Sequence, residues 1–464
     1  MMQQRLSRAT ILSIIATGLL SFMGTLVETS LNVTFATLTK QMNVNLATIQ
    51  WLTTGYLLLT TLTMIASAHL IKRYPVKTLF LVAITCFTLG DLLSAVAPSF
   101  PIILLGRLIQ AFSTGLSIPL MFHIILTSVP PRRLATYNGM AAMLIALGPA
   151  LGPTYGGLLT AAWSWRMIFW LLLPLIVIIF FIGLFNLDLQ PLARQDRFDF
   201  WGFGILALIL FLVDYTFNRA AKVGFLSWHF WGLLLVSIIL MLGFYIYNQH
   251  SSRHLIDFSI LKNGIVSWHL LGYFLLQFIN IGLAFVIPQV AQYILGQNSF
   301  VAGMILLPGA LLGVLVAPLA GRWMDRLQTP LPIVIGHAIF LIGAALFVIY
   351  DHNLTVGLLI AFYFILRLGF NMAFGNTISH ASVQVQPKQK ADINATFNMT
   401  QQYAGSLGTN IFAAVIGVFQ LKHIALSVST AQGALVDYWL IAVLAIIGLF
   451  AAWISYRLTM EKTK

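Results

Sequence analysis

Charge is what this chain has least of. Only 8% of its 464 residues are Asp, Glu, Lys or Arg, where an ordinary soluble domain carries about 25%. That deficit excludes a chain that keeps its whole surface in water. The 59% apolar content and the mean hydropathy of +0.92 point the same way. Cysteine is nearly missing: Cys86 stands alone in an apolar run, so neither a disulfide framework nor a cysteine-built metal site exists within one chain. No Gly-rich loop closes on Lys and Ser or Thr, so ATP-driven work by this chain alone is not expected. His123 and His269 lack metal-ligand spacing and read as hydrogen-bonding helix residues; neither a metal nor another cofactor is expected. The net charge of +13 is scattered through short loops and is not gathered into a basic domain, so nucleic acid is not an expected partner.

What the chain does have is apolar runs. About fourteen segments are long enough to cross a bilayer, near 9–36, 48–71, 77–97, 101–127, 136–161, 166–187, 200–217, 228–248, 265–288, 300–321, 330–350, 354–378, 395–419 and 435–457. Lipid offers the backbone no hydrogen bonds, and the runs lack barrel-type alternation, so each span is a helix. Arg5 and Arg8 precede the first run as in a signal peptide, but the run is too long and has no small-residue cleavage motif; it reads as a retained first helix. With the N-terminus placed in the cytoplasm, Lys and Arg divide roughly eighteen inside to five outside. Omitting one helix would spoil that contrast, so an even count with both termini cytoplasmic is expected. The fold expected is all-α and polytopic, with two six-helix bundles at 1–187 and 258–464. Between them, 188–257 holds a polar linker with Pro191 and two inserted helices. A faint echo relates the bundles: Ala68 to Arg73 after the second helix, and Gly321 to Arg326 after the tenth. Paired halves with a binding site at their interface are a common transporter design.

Ionisable residues inside such runs carry the chemistry. Glu28 lies in the first helix within Glu28-Thr29-Ser30-Leu31-Asn32, a polar seam expected to face a wet cavity. A carboxylate at the bilayer centre costs roughly 2.5–3.5 kcal/mol on insertion scales, so it is kept when it pairs or carries something. Counting 1.5 Å per residue, Glu28 lies about 12 Å, and Asp91 and Arg107 each about 9 Å, from the outer ends of their helices. Two acids against one Arg leave one carboxylate without a full partner. Either the charges form a buried pair that fixes packing, or one acid gains and loses a proton during transport, with Glu28 preferred. Gln110 follows Arg107 by one turn. Trp51 and Tyr56 open the second helix, where aromatics also mark the membrane interface. Asn398, Gln401 and Gln402 make the thirteenth helix polar; they either contact substrate or satisfy one another. In the fifth helix, Gly148, Gly152, Pro153, Gly156 and Gly157 either permit tight packing or give a flexible helix on which the halves rock.

These motifs together resemble the fourteen-helix drug:proton antiporter branch of the major facilitator superfamily. Glu28 to Val33 is similar to its first-helix motif, and Ile49 to Tyr56 to its second-helix signature. Arg107-Leu108-Ile109-Gln110-Ala111 with Gly115 resembles the motif assigned to proton coupling. Gly148 to Gly157 fits the antiporter motif, Trp165 to Phe169 follows with Pro174, and Asn398 to Gly408 is similar to the thirteenth helix of lincomycin-resistance type exporters. The resemblance covers nearly the whole chain. It implies proton-coupled efflux of amphipathic compounds by alternating access, with Glu28 and Arg107 in proton coupling; Asp91 is not part of the family pattern and joins them here only by its depth and charge. The resemblance further implies a substrate cavity lined by Asn32, Trp51, Tyr56, Gln110, Asn398, Gln401 and Gln402. The partners implied are a small molecule, protons and the bilayer of a bacterial inner membrane, with the protein a monomer. The cytoplasmic gate motif departs from the family: Ala68, Lys72-Arg73 and Pro75 stand in the places of its Gly, Asp-Arg and Gly, whereas Gly321, Asp325 and Arg326 are kept. Gating is therefore expected to rest more on the second half. A carrier of one defined metabolite or peptide, or a non-transporting membrane sensor, remains open from sequence.

Overall fold

A computed structural model describes residues 7–130, 133–187, 198–251, 255, 258–327, 329–386, 389–421 and 425–463. The expected linker at 188–197 and the loop cations Arg5, Arg132, Arg253, Lys388, Lys422 and Lys464 lie outside these residues. The described residues are predominantly helical and contain no strand. In order they form α1 (Arg8–Ser30), α2 (Phe35–Met42), α3 (Leu46–Ile49), α4 (Trp51–Arg73), α5 (Val76–Val96), α6 (Phe100–Ser128), α7 (Leu134–Ala162), α8 (Met167–Trp170) and α9 (Leu173–Asn186). There follow α10 (Phe200–Val223), α11 (Trp228–His250), α12 (Gly264–Gln289), α13 (Ser299–Leu327), α14 (Leu331–Ile349), α15 (Val356–Val383), α16 (Lys390–Gln420) and α17 (Leu426–Thr463).

Thirteen helices among the described residues are long and apolar enough to cross a membrane. The expected fourteenth is α16. It is 31 residues long, but Asn394, Asn398, Gln401, Gln402, Ser406, Thr409 and Asn410 dilute its apolar content. With it, the chain is an all-α membrane protein of about fourteen spans. The first span is longer than the apolar run suggests. It continues from α1 through a 3-10 turn, Leu31–Thr34, into α2, and stops at Asn43 in the left-handed conformation, φ 52°. Ser7, Ser227, Asn263 and Thr355 cap helix starts by accepting backbone N–H groups, which removes orphan donors that lipid cannot satisfy.

The chain divides into two compact units. One holds Met1–Asn45 and Trp51–Phe200; the other holds Leu46–Gln50 and Trp201–Lys464. The helices beyond Phe200 that the sequence sets apart as an insertion are thus grouped with the second unit. In the first unit α1 packs on α6 and α7, α6 on α4 and α5, and α9 on α1 and α5. In the second, α12 packs on α16 and α17, and α15 on α13 and α14.

Candidate functional site

The polar seam of α1 resolves into three kinds of residue. Its hydroxyl groups serve their own helix: Thr17 donates to Ser13 O, Ser21 to Thr17 O, Thr29 to Thr25 O and Ser30 to Leu26 O. Such back-bonding keeps a hydroxyl satisfied away from water. Asn32, 1% exposed, accepts the Thr53 hydroxyl at 2.8 Å. Glu28 is the third kind. It is 4% exposed, and no hydrogen bond or ion pair joins it to any described residue.

Thr25, Thr29 and Ser30 face α7, not open space. A β-carbon at Gly148 would collide with the Thr25 hydroxyl, one at Gly152 with the Thr29 hydroxyl, and one at Gly156 with the Ser30 carbonyl. The four-residue spacing therefore puts one backbone hard against another, as small residues permit. Pro149 and Pro153 lie inside the same helix, and Gly157 is buried beside them.

Arg107 lies where α4, α5 and α6 converge and is 0% exposed. Its Cζ sits 3.9 Å from the centroid of the Tyr56 ring, a desolvated cation–π contact worth about 2 kcal/mol. The Tyr56 hydroxyl donates to Gly24 O at 2.9 Å and meets Thr114 Oγ1 at 2.6 Å. Gly24 is one helical turn before Glu28, so Tyr56 ties the Arg107 stack to the turn that presents the acid. Arg107 Nη1 donates to Gln110 Oε1 at 2.9 Å, and Gln110 Nε2 donates to Asp91 Oδ1 at 2.9 Å. Arg107 and Asp91 are thus joined through a neutral amide. No ion pair links Arg107 with either acid among the described residues, although the charges of both act on it. Arg107 Nε and Nη2 and Asp91 Oδ2 are buried and lack hydrogen-bond partners. The cluster therefore holds one cation, two acids and several unused polar valences, with Arg107 and Asp91 fully buried and Glu28 4% exposed.

The remaining expected residues fall elsewhere. Tyr56 and Gln110, expected to line a cavity, are 0% exposed and engaged as above; Trp51 is half-buried. In the second unit the Tyr273 hydroxyl donates to Gln401 Oε1 at 2.9 Å. Gln402 Nε2 is buried without a partner, and Asn398 is half-buried. Arg73 is exposed at the end of α4, its Cζ 5.7 Å from the Tyr74 ring. Gly321 is half-buried, and Asp325 and Arg326 are exposed, in the last turns of α13.

Several buried polar groups of the second unit come together in ways that no single segment of sequence announces, among them His269, read from sequence as a hydrogen-bonding helix residue. Asp214, Ser406 and Asn410 are hydrogen-bonded together. His269 Nε2 lies 2.7 Å from His380 Nδ1 and 2.9 Å from Ser455 Oγ. Asp437 is 0% exposed, and neither carboxyl oxygen has a partner. Asp214 and Asp437 carry the signal that singles out Glu28, a lone acid in an apolar run. Asp214 was hidden because its segment reads as an insertion. Among the described residues no three His, Cys, Asp or Glu side chains gather as metal ligands would.

A bundle of membrane helices enclosing such a cluster is the build of a transporter, not an enzyme. The chain belongs to the Major Facilitator Superfamily, whose profile matches residues 17–409. It is 28% identical over 421 residues to the lincomycin resistance protein LmrB of Listeria monocytogenes, covering 90% of this chain and 88% of that protein. It is 27% identical over 460 residues to the protein of the same name from Bacillus subtilis, covering 96% and 95%. A multidrug resistance protein B homolog of Mycobacterium tuberculosis is 28% identical over 397 residues, covering 81% and 70%. A solved bacterial homolog of the human lysosomal transporter Spinster matches with a TM-score of 0.71 at 14% identity, covering 97% of this chain and 98% of that one. The nucleoside transporter NupG matches at 0.63 and 14%, covering 95% and 98%. These structures share the fold. The resemblance read from the sequence motifs holds for the family and for these relatives.

Proposed function

We propose that this transporter exports amphipathic drugs or toxic compounds in exchange for protons, by alternating access, with Glu28 as the residue that takes up and releases the proton. The observation that carries the reading is the state of Glu28: buried, unpaired, and within the field of an Arg107 that still has unused donors. With Glu28 and Asp91 both ionised, the cluster carries one negative charge in excess. One proton on Glu28 brings it to neutrality, and loss of that proton frees the carboxylate to attract a cationic substrate or Arg107. A ligand shifts a two-state carrier only through a difference in its affinity for the two states, and a proton on this carboxyl supplies one. Asp91, held to Gln110, serves in this reading to orient Arg107. The named relatives, resistance proteins for lincomycin and for multiple drugs, support the substrate class. The basic loops of the sequence support a place in the bacterial inner membrane with both termini cytoplasmic, and we take the working unit as one chain.

The test is reconstitution in liposomes with an imposed pH gradient and a panel of dyes and antibiotics, following substrate and proton together. Glu28→Gln is expected to abolish gradient-driven export, a loss of tenfold or more, while leaving the amount of folded protein in the membrane unchanged. Export at the wild-type rate by that variant would overturn the assignment.

A further inference from the structure

In the second unit α10 and α16 run side by side, and their contacts climb both helices in step. The Tyr403 hydroxyl donates to Leu210 O at 3.4 Å. Ser406 Oγ donates to Asp214 Oδ2 at 2.9 Å. Asn410 Nδ2 donates to the Asp214 carbonyl and to Asp214 Oδ1, the latter at 3.3 Å. Further along, a β-carbon at Gly417 would lie 3.0 Å from Ala221 Cβ. Residue numbers rise together on both sides, so the two helices are parallel. The steps of three, four and seven residues keep each set on one helix face.

Asp214 is the centre of this seam and is 0% exposed. Its carboxyl meets a hydroxyl and an amide, and no cation lies within bonding distance among the described residues. The titratable group beside it on α16 is the Tyr403 phenol; Lys390 and Asp392 of that helix are about 20 Å from Ser406 along the axis at 1.5 Å per residue. On α10 itself Tyr215, Arg219 and Lys222 follow. On α3, which meets α10 where Asn218 donates to Ala47 O, no side chain is ionisable. α11, which meets α10 through the Phe217–Phe230 ring contact, carries His229, Tyr245, Tyr247 and His250. A second observation bears on the same place. Asn410 Oδ1, at a side chain 0% exposed, is a buried acceptor with no donor. An ionised carboxylate only accepts, whereas a carboxylic acid also donates. Asn410 Oδ1 therefore lacks a donor, and a protonated Asp214 would carry one that the ionised carboxylate does not.

We propose that Asp214, Ser406 and Asn410 form a second proton-binding site, separate from the Glu28 cluster. In it the Asp214 carboxylate takes up one proton and donates it to Asn410 Oδ1, reached by a turn of the amide about its soft terminal torsion. No covalent bond other than O–H forms or breaks. Uptake exchanges the Asn410 amide's donation to Asp214 for an O–H donation from Asp214, and so changes the tie between the inserted helix α10 and α16, the helix that also carries Asn398, Gln401 and Gln402.

The test reads the proton without transport. Infrared difference spectra of the full-length protein in liposomes, taken between acidic and alkaline buffer, report each carboxylic acid through its carbonyl stretch above the amide bands. Asp214→Asn is expected to delete one such component and to lower proton uptake by a proton per chain. Glu28→Gln leaves that component in place. Ser406→Ala keeps the component and moves it to higher frequency, because one hydrogen bond is lost. A spectrum of Asp214→Asn superimposable on the wild type overturns the proposal. If that variant does not accumulate, an unshifted component in Ser406→Ala overturns it instead. Neither result depends on how Glu28 behaves in flux, so the two readings fail separately.

Discussion

The two units build the same device and load it differently. In the first, α5 and α6 cross where Gly90 and Gly106 leave no room for a β-carbon; in the second, α14 and α15 cross in the same way at Gly336 and Gly369. Next to each crossing lies an arginine inside the membrane. Arg107 stacks on Tyr56 and donates to the Gln110 amide. Arg367 lies 4.6 Å from the Phe370 ring centroid and donates to the Asn280 amide. The difference is in the acids. Arg107 feels Glu28 and Asp91, whereas the titratable neighbour of Arg367 is Tyr363. Arg367 is half-buried, whereas Arg107 is fully buried, and no carboxylate acts on Arg367. The two acids acting on Arg107 set the first unit apart from the second, and the role proposed for Glu28 uses that difference.

The glycine seams give the largest expected effect. Gly156→Ala in α7 drives a methyl into the Ser30 carbonyl of α1, a backbone atom that cannot turn aside. Overpacking of this kind costs about 1–3 kcal/mol, and the variant is expected to show a clearly lowered thermal midpoint and poor accumulation in the membrane. Gly405→Ala in α16 places its methyl 3.3 Å from Ile281 Cγ1, a side chain that can yield, and is expected to leave both measures close to wild type. Equal damage from the two would remove the distinction between a backbone-on-backbone seam and an adjustable one.

Next come the arginines. Arg107→Lys keeps the charge but loses the planar stack and the fork of donors. We expect gradient-driven export to fall about tenfold, equivalent to ~1.4 kcal/mol on the barrier, while Arg367→Lys falls less than Arg107→Lys does. Equal losses, measured as initial rates in the same liposomes, would erase the functional difference between the units. Among the substitutions in the Arg107 cluster the smallest effect is expected from Tyr56→Phe, which keeps the ring under Arg107 and removes only the bonds to Gly24 and Thr114. Net hydrogen bonds contribute about 1 kcal/mol each, so export is expected to slow by a few-fold and stability to drop slightly. A loss as deep as that of Glu28→Gln would show that the hydroxyl, not the ring, is the working part of Tyr56.

Much of this was legible in the sequence because lipid restricts what a chain can do. Backbone polarity forces helices, so apolar length alone located the spans. Ionisable residues are rare in hydrocarbon, so Glu28 and Arg107 stood out, and glycines at four-residue spacing marked the face of α7 that meets α1. What stayed hidden depends on register between distant segments. Nothing local to Gln110 announces that its amide joins Arg107 to Asp91, or that Tyr56 lies flat beneath the guanidinium. Ser406 and Asn410 meet Asp214 across 192 and 196 residues, a pairing that only helix packing sets. His269 and His380, 111 residues apart, are hidden for the same reason. The span expected at 395–419 is α16, whose polar side chains lower its hydropathy below that of the thirteen other long helices among the described residues.

The short 3-10 stretch Leu31–Thr34 carries a mechanical consequence. A 3-10 turn rises about 2.0 Å and rotates about 120° per residue, an α-turn about 1.5 Å and 100°. Rewinding these four residues into α-helix would shorten the first span by about 2 Å and swing everything beyond by about 80° relative to Glu28. α2, with Asn43 locked at its end, would turn like a key while the acid stayed in its seat, coupling a change of pitch at one membrane face to a fixed charge in the interior.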